Sequence, residues 1–108
     1  MRVTGVETFL CAADWRNFVF VRVDTDEGLH GWGEATLEGK EQTVATAIGE
    51  LARYLVGKDP AQIERHWHQM YETPFWRGGP VLGSAIAGLD QALWDIKGKA
   101  LGVPVYQL

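Results

Sequence analysis

The spacing of hydrophobic and polar positions changes about a third of the way along the chain. Up to residue 35, β-branched and aromatic residues dominate short runs; from residue 44 onward, apolar residues recur at helical spacing. Residues 3–10 read as a first strand. Residues 18–23, Phe18-Val19-Phe20-Val21-Arg22-Val23, begin apolar on both faces, which suits a central strand. Residues 24–28 form a hairpin connection in which Gly28 can take the left-handed conformation a short loop needs. Residues 29–35 return as a third strand. Gly31 and Gly33 leave one of its faces nearly bare, so another element is expected to approach it closely. The pattern predicts a three-stranded antiparallel meander.

Helices follow. Val44, Ala47, Ile48, Leu51, Ala52 and Leu55 share one face, and Gly57 stands where a C-terminal cap belongs. Asp59 and Pro60 are expected to open a second helix, Asp59 as N-cap, Pro60 at the first helical position and Gln62 completing a box-like cap. Its buried stripe is predicted as Ile63, Trp67, Met70 and Tyr71. After a loop at 73–80, a third helix over 81–101 places Leu82, Ile86, Leu89, Leu93 and Ile96 on one face. Small and apolar residues (Gly83, Ala85, Ala87, Gly88, Ala92, Trp94) fill its other faces, so it should be contacted on more than one side. Gly102 and Pro104 end it, and the apolar residues 105–108 come next. An apolar end needs a packing surface, so a second body of protein is expected there. The class predicted is α+β: the meander, then a bundle of about three helices.

Composition narrows the function. Hydrophobic residues make up 46% and charged residues 22% of the 108, an ordinary balance for one soluble globular domain. The net charge is -4 and the ten basic residues are scattered, so no nucleic-acid partner is expected. No apolar run approaches a membrane span, and the first residues lack the apolar core of a signal peptide. A single cysteine, Cys11, excludes an intrachain disulfide and fits a cytoplasmic location.

Few motifs carry chemistry. "GWGEA" at residues 31–35 lacks the third glycine of a dinucleotide fingerprint and lies on a hairpin strand rather than in a βαβ unit. Glu34 reads as an anchoring acceptor rather than a site residue. His66 and His68 are two apart on a helix and cannot share a metal. With Glu64 and Glu72 they read as a solvated face. No catalytic or metal-ligating residue stands out. What remains is two loops that each pair a tryptophan with an arginine: "AADWRN" at 12–17 and "FWRGGP" at 75–80. Guanidinium grips a carboxylate through parallel hydrogen bonds while an indole covers it from water. Equally, Arg16 or Arg77 could bridge to an acidic neighbour and the tryptophans could pack.

The order of these pieces adds a resemblance. "GWGEATLEGKEQTV", "LVGKDPAQIE" and "FWRGGPVLGSAIAGLDQALWDIKGKALGVPVYQL" together resemble the N-terminal capping domain of the enolase superfamily, in its mandelate racemase/muconate lactonizing enzyme branch. Within the branch the likeness is to sugar-acid dehydratases: "DWRNFV" is nearer mannonate-dehydratase-like members, the "RGGP" and "GLDQALWDIKGK" blocks nearer galactonate-dehydratase-like ones. The resemblance implies a (β/α)-barrel after Leu108 that carries the catalytic bases and the Mg²⁺, with no catalytic or metal-binding residue in residues 1–108. It implies a lid built from Trp15, Arg16, Asn17, Phe75, Trp76 and Arg77 over a small sugar acid. It further implies a homo-oligomeric full-length lyase that removes water after proton abstraction beside a carboxylate. A racemase, epimerase or cycloisomerase of the same superfamily remains an alternative, as does a stand-alone binding module.

Overall fold

Val19, Val21 and Val23 alternate along β2 (Arg16–Thr25) and are completely buried, which makes this strand the floor of the core. The computed structural model describes residues 1–108 and places β2 between β1 (Val3–Ala13) and β3 (His30–Glu34), antiparallel to both. Three helices, α1 (Glu41–Leu51), α2 (Ile63–Glu72) and α3 (Pro80–Leu101), follow in chain order. Leu89, Leu93 and Ile96 of α3 and Val44, Ile48 and Leu51 of α1 join the valines of β2 in one core. This is the α+β meander-and-helices architecture that the hydrophobic periodicity predicts.

The bare face of β3 is what lets α3 sit so close. A Cβ on Gly33 would overlap the Gly88 carbonyl oxygen, and one on Gly31 would overlap the Ala92 carbonyl oxygen. The approach is mutual, since a Cβ on Gly88 would stand 2.7 Å from the Ala35 Cβ. At this distance α3 also covers the open edge of β3. The Trp32 N–H donates to Asp95 Oδ2 at 2.9 Å, the Glu34 N–H to Gln91 Oε1 at 2.9 Å, and Lys99 Nζ to the His30 carbonyl at 2.7 Å. Gln91, Asp95 and Lys99 are four residues apart, one stripe along the helix, so a single face of α3 saturates an edge that would otherwise invite strand addition.

The other sheet face bears Phe9, Phe20 and Trp32. Arg22 lies over Phe9 and Trp32, ring centroids 5.3 and 5.7 Å away, and is anchored by Glu7 and Asp24.

Several boundaries differ from expectation. The β1–β2 pairing continues to Ala13↔Arg16, so the expected loop at 12–17 shrinks to the two-residue turn Asp14-Trp15. α1 ends at Leu51 and tightens into a 3-10 turn, Ala52–Tyr54. Gly57 (φ +83°) therefore reverses the chain beyond the helix rather than capping it, and its N–H donates to the Val3 carbonyl at 2.8 Å. α2 starts at Ile63, not Pro60: Asp59 Oδ1 accepts from the Ala61 N–H at 2.9 Å, a local turn that uses up the predicted cap. Gln62 is the actual N-cap and makes no side-chain capping bond. The buried stripe is Ile63, His66 and Met70, and Trp67 and Tyr71 stack on each other at 5.0 Å on a half-exposed flank. His66, read as solvated, is buried.

Candidate functional site

The β1–β2 hairpin carries its pairing to the tip, and the two-residue turn requires a positive φ at Asp14 (+50°), a conformation aspartate tolerates better than most residues. Trp15 is thereby held at the apex and is 79% exposed. Next to it, the Arg16 guanidinium lies 5.4 Å from the Trp15 ring centroid and 4.8 Å from that of Phe18, and pairs with Glu38 at 3.3 Å. Its Nε is buried without a hydrogen-bond partner. Asn17 Nδ2 reaches Glu41 Oε1 at 3.5 Å, the outer limit of a hydrogen bond. The Glu41 carboxyl is held below the usual glutamate range, first by its own backbone N–H at the start of α1, then by the Gly39 N–H and the Asn17 amide, with desolvation opposing them.

The second loop precedes α3. Phe75 and Trp76 meet edge to face at 5.4 Å and are 86% and 79% exposed, and Arg77 beside them is exposed and makes no ion pair. Gly78 and Gly79 follow with φ of +88° and +87°, which other residues adopt only with strain, and Pro80 opens the helix at its first position.

Both loops project from one end of the domain. α3 runs opposite to β3, with Gly88 beside Gly33, so its first residue lies eight positions, about 12 Å, past Gly33. β2 pairs Phe20 with Glu34, which puts Trp15 about 16 Å past the end of β3 in the same direction. α1 spans the interval. Glu41 at its start meets Asn17, and its later residues Ala47, Glu50 and Leu51 line a groove of about 280 Å³ with Pro74, Phe75 and Trp76.

Of the six residues read as a lid, the structure groups Trp15, Arg16 and Asn17 on the hairpin and Phe75, Trp76 and Arg77 on the other loop. Arg16 does bridge to an acidic neighbour, but neither tryptophan packs into the core. Sequence reading missed Glu38 and Glu41, which hold Arg16 and Asn17. The available signal was the "LEGKE" run after the third strand. Glu34 anchors through its backbone rather than its carboxylate. No three His, Cys, Asp or Glu side chains converge, so these residues do not fit a Mg²⁺ site, which takes several oxygen ligands.

A family model described as the mandelate racemase/muconate lactonizing enzyme N-terminal domain matches residues 4–108. The chain belongs to that family. This enolase-superfamily N-terminal domain is 55% identical over its whole length to the D-galactonate dehydratase of Pectobacterium atrosepticum and 54% identical to that of Ralstonia pickettii. It spans only 28% of the length of each. Among solved structures it superimposes on an enolase from Pantoea ananatis with bound D-gluconate and Mg at a TM-score of 0.94 and 46% identity, covering 98% of this chain and 26% of that one. A second solved structure, from Mesorhizobium loti, gives a TM-score of 0.95 at 43% identity, covering 99% of this chain and 30% of that one. The meander, the three helices and their order are thus those of the family's N-terminal domain. No helix is long and apolar enough to cross a membrane.

Proposed function

We propose that this domain is the substrate-contacting lid of a Mg²⁺-dependent sugar-acid dehydratase that converts a galactonate-like aldonate to a 2-keto-3-deoxy acid. The observation that carries the reading is the pair of tryptophans, each 79% exposed, on two loops that project from the same end of the domain beside arginine and asparagine donors. Exposing two indoles to water is unfavourable unless something covers them. The relatives named D-galactonate dehydratase, matched along the whole chain, support the substrate class.

The proton-abstracting base and the Mg²⁺ lie outside residues 1–108 in this proposal, in a barrel domain of the full-length, cytoplasmic, homo-oligomeric enzyme. Bound there, the ion would stabilise negative charge that develops beside the substrate carboxylate. The work of this chain is binding, orientation and exclusion of water. Arg16, Asn17 and Arg77 donate hydrogen bonds to the hydroxyls and distal end of the sugar acid. Glu38 and Glu41 hold Arg16 and Asn17 near that position beforehand, which lowers the ordering cost at closure. Trp15, Phe75 and Trp76 cover the bound acid, and a drier site strengthens every hydrogen bond within it.

The test is to incubate the full-length protein with D-galactonate and Mg²⁺ and follow the product by NMR. A 2-keto-3-deoxy acid, lost on chelation, is expected. Epimerisation without loss of water would overturn the dehydratase reading.

A further inference from the structure

At the start of β1, far from the hairpin turn, lies a cavity lined entirely by polar residues. Arg2, Lys58, Asp59, Gln62, Arg65, His66 and Gln69 line about 190 Å³ that is open to solvent on one side. Its walls are fixed by backbone bonds: the Val3 N–H donates to the Lys58 carbonyl at 2.9 Å, and the Gly57 N–H to the Val3 carbonyl at 2.8 Å. These bonds set Arg2 and Lys58 side by side. Opposite them, Gln62, Arg65, His66 and Gln69 fall three and four residues apart, one face of α2. None of the three basic side chains makes an ion pair, so the lining carries three positive charges against the single carboxylate of Asp59.

His66 is the unusual member. It is 97% buried, by its 3% relative exposure. Its Nε2 lies 2.7 Å from the Asp59 carbonyl, which can only accept, so Nε2 carries the proton. Nδ1 has no partner and almost no accessible surface, so it faces protein rather than the cavity. In the neutral ring Nδ1 is an acceptor, and leaving it unmatched is unfavourable. The cavity thus presents three cations, two amides and one carboxylate, that of Asp59. A bare oxyanion satisfies the cations but repels Asp59. A neutral polyol satisfies the acceptors and leaves the cations unpaired. The volume is also far above the roughly 10–15 Å³ that one water needs, so a single tetrahedral anion leaves it mostly unfilled.

We infer that this cavity is a binding site for a small carboxylate that also carries hydroxyl donors. The carboxylate pairs with Arg65 and with Arg2 or Lys58, where a guanidinium can hold it through two parallel hydrogen bonds. The hydroxyls meet Gln62, Gln69 and Asp59. β1 is eleven residues long, which sets this site about 30 Å along the strand from the Trp15 turn. The inference depends on the lining alone, not on the lid proposal.

Hydrogen exchange read by mass spectrometry on the full-length protein tests it, with peptides from 58–72 reporting on the cavity and peptides from 12–18 and 73–80 reporting on the lid loops. D-Gluconate at ten times its half-saturating concentration should slow exchange of the 58–72 amides by about tenfold. Lys58→Gln and Arg65→Gln, both at exposed positions, should each abolish the protection while Asn17→Ala leaves it intact. Galactitol, without a carboxylate, and inorganic phosphate, without a hydroxylated chain, should each protect poorly. Equal protection by phosphate, equal protection by galactitol, or protection unchanged in Arg65→Gln would each overturn the assignment. Protection confined to the lid peptides would overturn it too, while leaving the lid proposal standing.

Discussion

Replacing Gly33 by alanine puts one methyl group where the Gly88 carbonyl oxygen already stands. That obstacle is backbone, so no side-chain rotation relieves the overlap and α3 must move off β3. The three bonds that tie the helix to the strand edge are 2.7 to 2.9 Å long. Such bonds weaken beyond about 3.2 Å, which leaves only a few tenths of an ångström of slack. Overpacking alone costs about 1–3 kcal/mol, and one or two stretched hydrogen bonds add about 1 kcal/mol each. The expected loss is therefore about 3 kcal/mol or more. Gly49→Ala is the control. It lies within α1, nothing stands within 4 Å of the added Cβ, and helix propensity predicts a gain of about 0.5–1 kcal/mol. Urea unfolding followed by tryptophan fluorescence should separate the two midpoints by about 2 M, for a slope of about 2 kcal/mol per molar. If Gly33→Ala unfolds within about 1 kcal/mol of the unsubstituted protein, the close seating of α3 on β3 is wrong.

Asp95→Ala removes the acceptor for the Trp32 N–H and the partner of Lys99, and should cost about 1–2 kcal/mol in the same assay, whereas Lys97→Ala should cost about 0.5 kcal/mol or less. Glu41 should titrate below the roughly 4.3 of a free glutamate in a carbon-detected NMR titration. Because the folded value is the depressed one, its contribution to stability is present above the ordinary glutamate pKa and is lost as pH falls through the lowered value. A folded value at or above the ordinary one would refute the contacts assigned to the Glu41 carboxyl. Trp15→Ala and Trp76→Ala should leave the unfolding midpoint almost unchanged, as expected of highly exposed side chains, but raise KM for every substrate tested.

The meander was legible because its signals are local. Alternation in β2 and the two glycines of β3 each have a direct physical reading, and the close approach those glycines allow is what α3 supplies. The start of α2 was not legible, because two turn chemistries compete at Asp59. A carboxylate before Pro60 can cap a helix or bond the Ala61 N–H, and the second wins here. The helix starts three residues later than expected, and its buried stripe holds His66 where Trp67 and Tyr71 were expected. The tryptophans of the candidate site were visible as a composition, Trp beside Arg on a loop. Their supports were not: Glu38 and Glu41 are more than 20 residues from Arg16 and Asn17, and only the pairing of β2 with β3 brings the segment after β3 back beside the hairpin.

The central claim is that the hairpin tip reads the substrate. Its most direct test is kcat/KM of Asn17→Ala and Arg16→Ala in the full-length enzyme, on D-galactonate and on an epimeric aldonate, across a Mg²⁺ titration. Loss of one or two buried hydrogen bonds predicts a fall of roughly ten- to a hundredfold, with a changed ratio between the epimers and an unchanged Mg²⁺ dependence. Full activity with the same epimer ratio in both variants would contradict the claim and leave Arg16 and Asn17 as packing partners of Glu38 and Glu41.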